Sequence, residues 1–394
     1  MGLYGPFTGN IPKEVSRISL SGFALLHVWD LEQESLRLRG NTMDPRQNVL
    51  AAMRRREPQW VPFIISLTPP MQELFEDKTG SSDPAEYFNF DLRSTGFRSP
   101  ESSSDFRFYY PDGYPEGSYL DEWGILNVPG SMYHFTKMVN PLRNANHLDE
   151  IRSYPMPDYF NPSCYLNIQN DTAQYQADGY AVLGSLEMTI FEVSWYLRGM
   201  ENLFHDMLFR PDLAATLMDR ITQIRIFQAA TLARCGVDIL ALGDDIAIQT
   251  GMLMSPKMWR QWLKPRIKQV IDAAKAIKPD ILIWYHTDGD CRQVIAELIE
   301  VGVDILNPVQ PECLDPINLK GMYGDRLSFA GTIGTQTTMP FGKPADVRGV
   351  VEHMINTVGR GGGLLLAPTH VLEPDVPWEN VLAFVEAAKE LGRY

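Results

Sequence analysis

The 394-residue sequence has only four cysteines, Cys164, Cys235, Cys291 and Cys313, and no two of them share a CxxC spacing. That scatter argues against a disulfide framework or a cysteine-cage zinc site as the organising principle. Basic residues are scarce too: 35 Lys and Arg against 49 Asp and Glu leave a net charge of −14. A surface built to neutralise nucleic-acid phosphates needs the opposite balance, so small molecules or other proteins are the expected partners. The one dense basic run, Arg54-Arg55-Arg56, falls at the end of an expected helix and complements its dipole. No apolar run approaches the roughly 20 residues that cross a bilayer, and no segment has the order of a secretory signal. A cytoplasmic protein without a membrane span is the expectation.

A glycine-rich phosphate loop after the first strand is also missing, which counts against a doubly wound dinucleotide fold. What is present is alternation. Asp44-Pro45 supplies a helix start, and the strand Val61-Pro-Phe-Ile-Ile65 follows. A second strand is expected within Phe88 to Phe97. From Tyr180 onward apolar strands at Ala181–Leu186, Val237–Leu242, Ile281–Tyr285, Val303–Leu306, Leu327–Gly331 and Leu364–Ala367 alternate with amphipathic stretches. Those stretches are Asp212–Arg234, Trp259–Ile277, Val294–Val301, Ala345–Val358 and Trp378–Leu391. Two units echo each other, Cys235-Gly-Val-Asp-Ile-Leu240 and Val301-Gly-Val-Asp-Ile-Leu306. Repeated βα units with short connections predict an α/β fold of the (β/α)8 TIM-barrel kind. Residues 1–42 read as an N-terminal arm, and 43–394 as one barrel domain. Around 86–162 the barrel carries a loop-rich insertion of hairpins and short alternating pieces such as Phe106–Tyr110.

In such barrels chemistry gathers where strands end at their C-terminal side. The residues there are polar: Glu187 and Glu192; Asp244, Asp245 and Gln249; His286 and Asp288; Asn307, Gln310 and Glu312; Gln336; Thr369 and His370. Taken singly, an Asp after a strand is the cap of the next helix, and a lone His is a packed or hydrogen-bonded residue. Together, crowded carboxylates need a proton or a bound cation to compensate them. His286, Asp288 and His370 offer three protein ligands and leave a fourth position open, as a catalytic zinc requires. Glu192, Asp244 and Asp245 are the candidate catalytic carboxylates. Glu187, Gln249, Asn307, Gln310 and Gln336 are the candidate substrate contacts. The remaining histidines, at 27, 134, 147, 205 and 353, are expected to be structural or exposed, and Cys291 and Cys313 to be inert thiols.

Five stretches carry a resemblance to a family: His286-Thr-Asp-Gly289, Gly302-Val-Asp-Ile-Leu-Asn-Pro-Val-Gln-Pro311, Gly324-Asp-Arg-Leu-Ser-Phe-Ala-Gly331, Gly361-Gly-Gly363, and the run from Ala367-Pro-Thr-His370 to Asn380. They resemble the uroporphyrinogen decarboxylase superfamily, which also holds cobalamin-dependent methyltransferases. The resemblance runs from Met43 to the end and is strongest after Tyr180. It implies the same barrel. The decarboxylase proper has an arginine-rich motif after its first strand, whereas this chain reads Ile64-Ile-Ser-Leu-Thr-Pro-Pro-Met71 without one. The methyltransferase branch is more similar. Its His-x-Cys…Cys zinc set implies His286, Asp288 and His370 here, with Asp288 in place of the first cysteine and His370 near the second.

The expectation is therefore a methyltransferase that moves a methyl group from a small methylated compound to the corrinoid of a partner protein. Zinc would sit in the barrel mouth and cobalamin would be carried by the partner, because this chain has no Asp-x-His-x-x-Gly motif of its own. A homodimer is compatible with this. The alternatives are a decarboxylase or related lyase acting without metal on a small acidic substrate, in which Asp244 and Asp245 handle protons, and a non-catalytic binding protein using the same cavity.

Overall fold

The computed structural model describes residues 43–101, 104–130 and 136–394. The expected arm, with His27, and His134 in the insertion lie outside the described residues. Among the described residues the strands are, in chain order, β1 (Leu92–Thr95), β2 (Tyr119–Leu120), β3 (Leu126–Pro129), β4 (Thr136–Val139), β5 (Ala181–Glu187), β6 (Ile239–Gly243), β7 (Ala247–Ile248), β8 (Gly251–Met252), β9 (Leu282–His286), β10 (Ile305–Val309), β11 (Ser328–Ile333) and β12 (Leu364–Pro368). Seven of them pair in parallel in the order β1-β5-β6-β9-β10-β11-β12. The eighth place is taken by residues 61–67, which join β12 through the parallel bridge Phe63↔Leu366 and the segment just beyond it through Leu67↔Leu372. Pro62 has no N–H to give, which keeps this first strand from a continuous ladder. The result is a TIM-barrel-like α/β fold with residues 61–67 in first place and β9 in fifth.

Alternation along the strands sorts the core into two layers. Leu183, Ala241, Trp284, Ile305, Ala330 and Leu365 point inward, and the helix Pro45–Met53 closes the lower end with Val49, Ala52 and Met53. The opposite strand faces, among them Leu240, Ile283, Tyr285 and Phe329, pack against the surrounding helices. The longest of these, Pro211–Arg234, begins on proline and stops before Gly236, whose φ of +88° is the left-handed turn expected there. The expected helix from 259 to 277 is instead two, Pro256–Trp262 and Lys264–Ile277. Pro265 lacks the N–H that would continue the first. No helix among the described residues is long and apolar enough to cross a membrane.

The insertion is more ordered than its composition suggests. It holds an antiparallel sheet β2-β3-β4 and an aromatic core around Trp123, Leu142 and Tyr154. Phe106–Tyr110, read as an alternating piece, is a 3-10 turn at Arg107–Tyr109 with Phe106 buried.

The repeated Gly-Val-Asp has a physical explanation. Asp238 donates its amide to the carbonyl of Val182 and accepts the amide of Val182 at its own carboxylate; Asp304 does both with Ile283. Each aspartate thus locks the start of its strand onto the preceding one. Asp238 also receives a two-pronged contact from Arg46, at 3.0 and 2.8 Å, which ties the closing helix to the barrel. Its side chain is 1% exposed against 23% for Asp304. Arg46 is itself 36% exposed, so losing Asp238 leaves no buried charge behind but does remove charged hydrogen bonds that contribute about 1.5–3 kcal/mol. Asp238→Ala should therefore lower the urea unfolding free energy by about that amount, and Asp304→Ala by about 1–2 kcal/mol.

Candidate functional site

Three consecutive in-register pairs build the floor of the site. Glu187 on β5 lies beside Gly243 on β6, Gly243 beside His286 on β9, and His286 beside Asn307 on β10. All four are at or near the last residue of their strands, on the inward face. Gly243 is required: a Cβ there would stand 2.6 Å from the His286 Cβ and 2.7 Å from its carbonyl. His286 fills that gap, and its Nδ1 meets Asn307 Oδ1 at 2.7 Å. An acceptor opposite Nδ1 places a proton there and turns Nε2 to the cavity.

Beyond His286 the strand ends. Thr287 turns away from the cavity into the core, where its hydroxyl accepts the Ile246 amide. The alternation is thereby kept, and Asp288 shares the cavity side with His286. Asp245 comes from the turn after β6. Its Oδ1 lies 3.8 Å from His286 Nε2 and accepts the Asp288 amide at 2.8 Å. Asp245, His286 and Asp288 thus bring one donor atom each within 4.8 Å of one another. The Asp288 Oδ1 atom is buried and has no hydrogen-bond partner.

The other expected residues take different places. Glu192 is buried. It accepts Tyr196 Oη at 2.7 Å and the Asp245 amide at 3.1 Å, so it orients Asp245 from behind. Asp244 is fully buried, and its carboxylate receives the amides of Ile190 and Glu192; it holds the first turn of the helix Phe191–Arg198. Gln310 accepts the Gly289 amide at 2.7 Å. His370 is half exposed, with Nε2 3.9 Å from Asp288 Oδ2, outside the compact trio. Gln336 and His370 line, with Asp288, Gln310, Glu373 and Asp375, a cavity of about 220 Å³. Gln249 is exposed in the turn between β7 and β8 and makes no part of the cluster.

Four contributing side chains were not anticipated, Tyr196, Ser94, Ser185 and Arg225. Tyr196 stands one helical turn after Glu192, a spacing that would have found it. Ser94 and Ser185 are solvent-exposed on the inward faces of β1 and β5, so the barrel interior is open to water beside Glu187. The turn between Glu187 and Glu192 carries Met188 at φ +57°. The guanidinium of Arg225 holds the Met188 and Thr189 carbonyls at 3.0 Å and lies 5.3 Å from the ring centroid of Trp123.

The electrostatics favour a cation. Burial alone would pull the His286 imidazolium down, yet Glu187, Asp288 and Asp245 more than offset it and raise it to about 9. Burial pushes the Asp288 carboxyl up against the pull of His286. Burial and Asp245 raise Glu192, and burial and Glu192 raise Asp244 to about 7. Among the described residues no Lys or Arg forms an ion pair with Glu187, Asp245 or Asp288. Gly243→Ala should displace His286 and cost about 1–3 kcal/mol in urea unfolding, the usual penalty for overpacking.

Against known proteins, residues 136–391 match the family model described as Uroporphyrinogen decarboxylase (URO-D). The chain is 25% identical over 181 residues to Methylcobamide:CoM methyltransferase MtaA of Methanosarcina barkeri, covering 46% of this chain and 50% of that one. It is 26% identical over 184 residues to a uroporphyrinogen decarboxylase of Christiangramia forsetii, covering 46% and 49%. The chain thus spans about half the length of the curated relatives it matches. A solved methyltransferase from Methanosarcina mazei shares the fold at a TM-score of 0.64 and 18% identity, over 88% of this chain and 99% of that one. Matched by the family model over well more than half its length, the chain belongs to the uroporphyrinogen decarboxylase (URO-D) family.

Proposed function

We propose that this chain is a methyltransferase that takes a methyl group from a small methylated compound and passes it to the corrinoid of a partner protein, with a zinc ion held at the barrel mouth. The observation that carries the reading is the Asp245–His286–Asp288 cluster. Zinc bonds of roughly 2.0–2.1 Å put tetrahedral donors about 3.4 Å apart. The 3.8 Å between His286 Nε2 and Asp245 Oδ1 comes close to that spacing, and the orphaned Asp288 Oδ1 wants a positive partner. The donor chemistry fits a borderline-hard divalent ion better than a thiolate-loving one. His370 stands beside Asp288 as a further donor.

A bound divalent ion supplies Lewis acidity at the heteroatom that carries the methyl group. The chain's own residues do the rest. Asn307 fixes the His286 ring, Glu192 and the Asp288 amide fix Asp245, and Gln310 holds Gly289 so that Asp288 stays on the cavity side. The methylated compound has room in the cavity lined by Gln310, Gln336 and His370 and in the interior beside Ser185. The methyltransferase named among the relatives supports the corrinoid partner. The decarboxylase relatives support the other activity, but a polyacidic substrate would meet Glu187, Asp245 and Asp288 with no arginine or lysine paired to them among the described residues.

Purified protein should contain or take up about one zinc per chain by elemental analysis. Mixed with a reduced corrinoid protein and methoxylated, methylated-amine or halomethane donors, it should form methylcobalamin, read by absorbance. No product from any donor with zinc supplied would overturn the activity. His286→Ala should lose the metal and keep the fold, and Asp288→Cys should keep or tighten zinc binding. Asn307→Ala should weaken zinc affinity roughly 10–100-fold, as loss of a ligand's hydrogen-bond partner does.

A further inference from the structure

At the end of the barrel opposite the mouth, two cations crowd over one stretch of backbone with no carboxylate between them. Lys320 comes from the helix Pro316–Tyr323, and Arg55 from the turn after the closing helix Pro45–Met53. Both are half-buried. They meet over Gly363, where a Cβ would stand 3.2 Å from Lys320 Nζ and 3.4 Å from Arg55 Cγ, so only a bare residue admits them both. Arg55 is held in the left-handed region, at φ +58°, a position that usually falls to glycine or asparagine. Lys320 donates to the Gly362 carbonyl at 2.6 Å, which engages one of its three ammonium hydrogens. Arg55 reaches the Met53 carbonyl and Ser328 Oγ, each from Nη1 and each at 3.5 Å. Among the described residues its Nε and Nη2 have no partner, and neither cation forms an ion pair. Burial and then the field of Arg55 hold the Lys320 ammonium below its ordinary value, with no acid to offset them.

We propose that Lys320 and Arg55 form an anion site on the barrel floor that takes a phosphate group, either free or carried by a small molecule. Like charges side by side are unfavourable unless an anion joins them. The chain supplies none here, although its Asp and Glu outnumber its Lys and Arg by 49 to 35. The donors select the anion. Nε and Nη2 on one edge of a guanidinium match two oxygens of a single group, and the ammonium, with two hydrogens left, meets a third. A tetrahedral dianion has oxygens enough and a charge equal to that of the two cations. A carboxylate has neither. Ser328 opens β11 and Gly363 immediately precedes β12, so the site lies at the start of the strands whose far ends form the mouth. It is therefore independent of the metal-binding reading above and goes beyond it.

The test titrates the full chain with inorganic phosphate by calorimetry, against sodium chloride at equal ionic strength. Wild type should bind phosphate saturably, about one per chain, and unfold at a higher temperature in its presence. Lys320→Gln keeps an N–H for the Gly362 carbonyl but removes the charge, and Arg55→Gln removes the fork. Each should weaken phosphate binding roughly tenfold or more, the worth of a charged hydrogen bond. In phosphate-free buffer each should unfold at or above the wild-type temperature, because a like-charge contact is relieved. Side chains with a merely structural role would do the opposite, losing stability on substitution and leaving phosphate binding unchanged. His286→Ala should bind phosphate as wild type does, which separates the floor from the mouth. AMP as a second titrant identifies the source: binding tighter than that of phosphate assigns the site to a phosphate ester, and equal or weaker binding to the free ion. Phosphate no more effective than chloride, binding retained in both Gln variants, or binding lost in His286→Ala would each overturn the inference.

Discussion

Parallel strand pairing sets the depth of every side chain along the barrel, and here it aligns Glu187, Gly243, His286 and Asn307 in one row across four neighbouring strands. Each of the four plays a part that only that row permits. Asn307 is near enough to hold Nδ1, Gly243 is bare enough to leave room for the His286 Cβ and carbonyl, and Glu187 stands in the same row on the far side of Gly243. A slip of one residue in any of these strands would turn its member toward the helices. The ladder hydrogen bonds therefore set the site's geometry more firmly than contacts among its side chains.

Charge then decides what the row can hold. Two aspartates and a glutamate around one imidazole form an arrangement that demands positive charge. In the metal-free chain a proton on His286 supplies it, consistent with an imidazolium stabilised up to about 9. A divalent cation would supply it better. The supporting hydrogen bonds go to the groups that must stay put, through Tyr196, Glu192 and the backbone amides of Asp245 and Asp288. Glu187 and His370, at the edge of the cluster, remain exposed.

Much of this was legible in the sequence, because strand and helix periods differ and strand ends in a barrel share one face. The eight strand positions, the helix that begins at Pro45 and the gathering of polar residues at one rim follow from those two facts. What periodicity cannot convey is which way a residue turns once a strand has stopped. Asp244 and Asp245 are adjacent, yet one holds a helix from the inside and the other joins the metal-type cluster, because the chain leaves β6 in a turn without a repeat. For the same reason Asp245 joins His286 and Asp288 in one group of donors, while the expected His370 meets Asp288 alone, at 3.9 Å. The break at Leu263 and the 3-10 turn at Arg107–Tyr109 arise from local proline chemistry and aromatic packing, which blur a hydrophobic pattern.

Arg225 gives the insertion a bearing on the mouth. It grips the two carbonyls of the turn between Glu187 and Glu192 while lying over Trp123, a residue of the insertion's own aromatic core. A fully buried guanidinium with fixed partners on both sides acts as a rigid strut. The turn that follows Glu187 and the loop-rich excursion thus lean on one side chain, and the rim of the barrel mouth is braced by a part of the chain that lies outside the barrel.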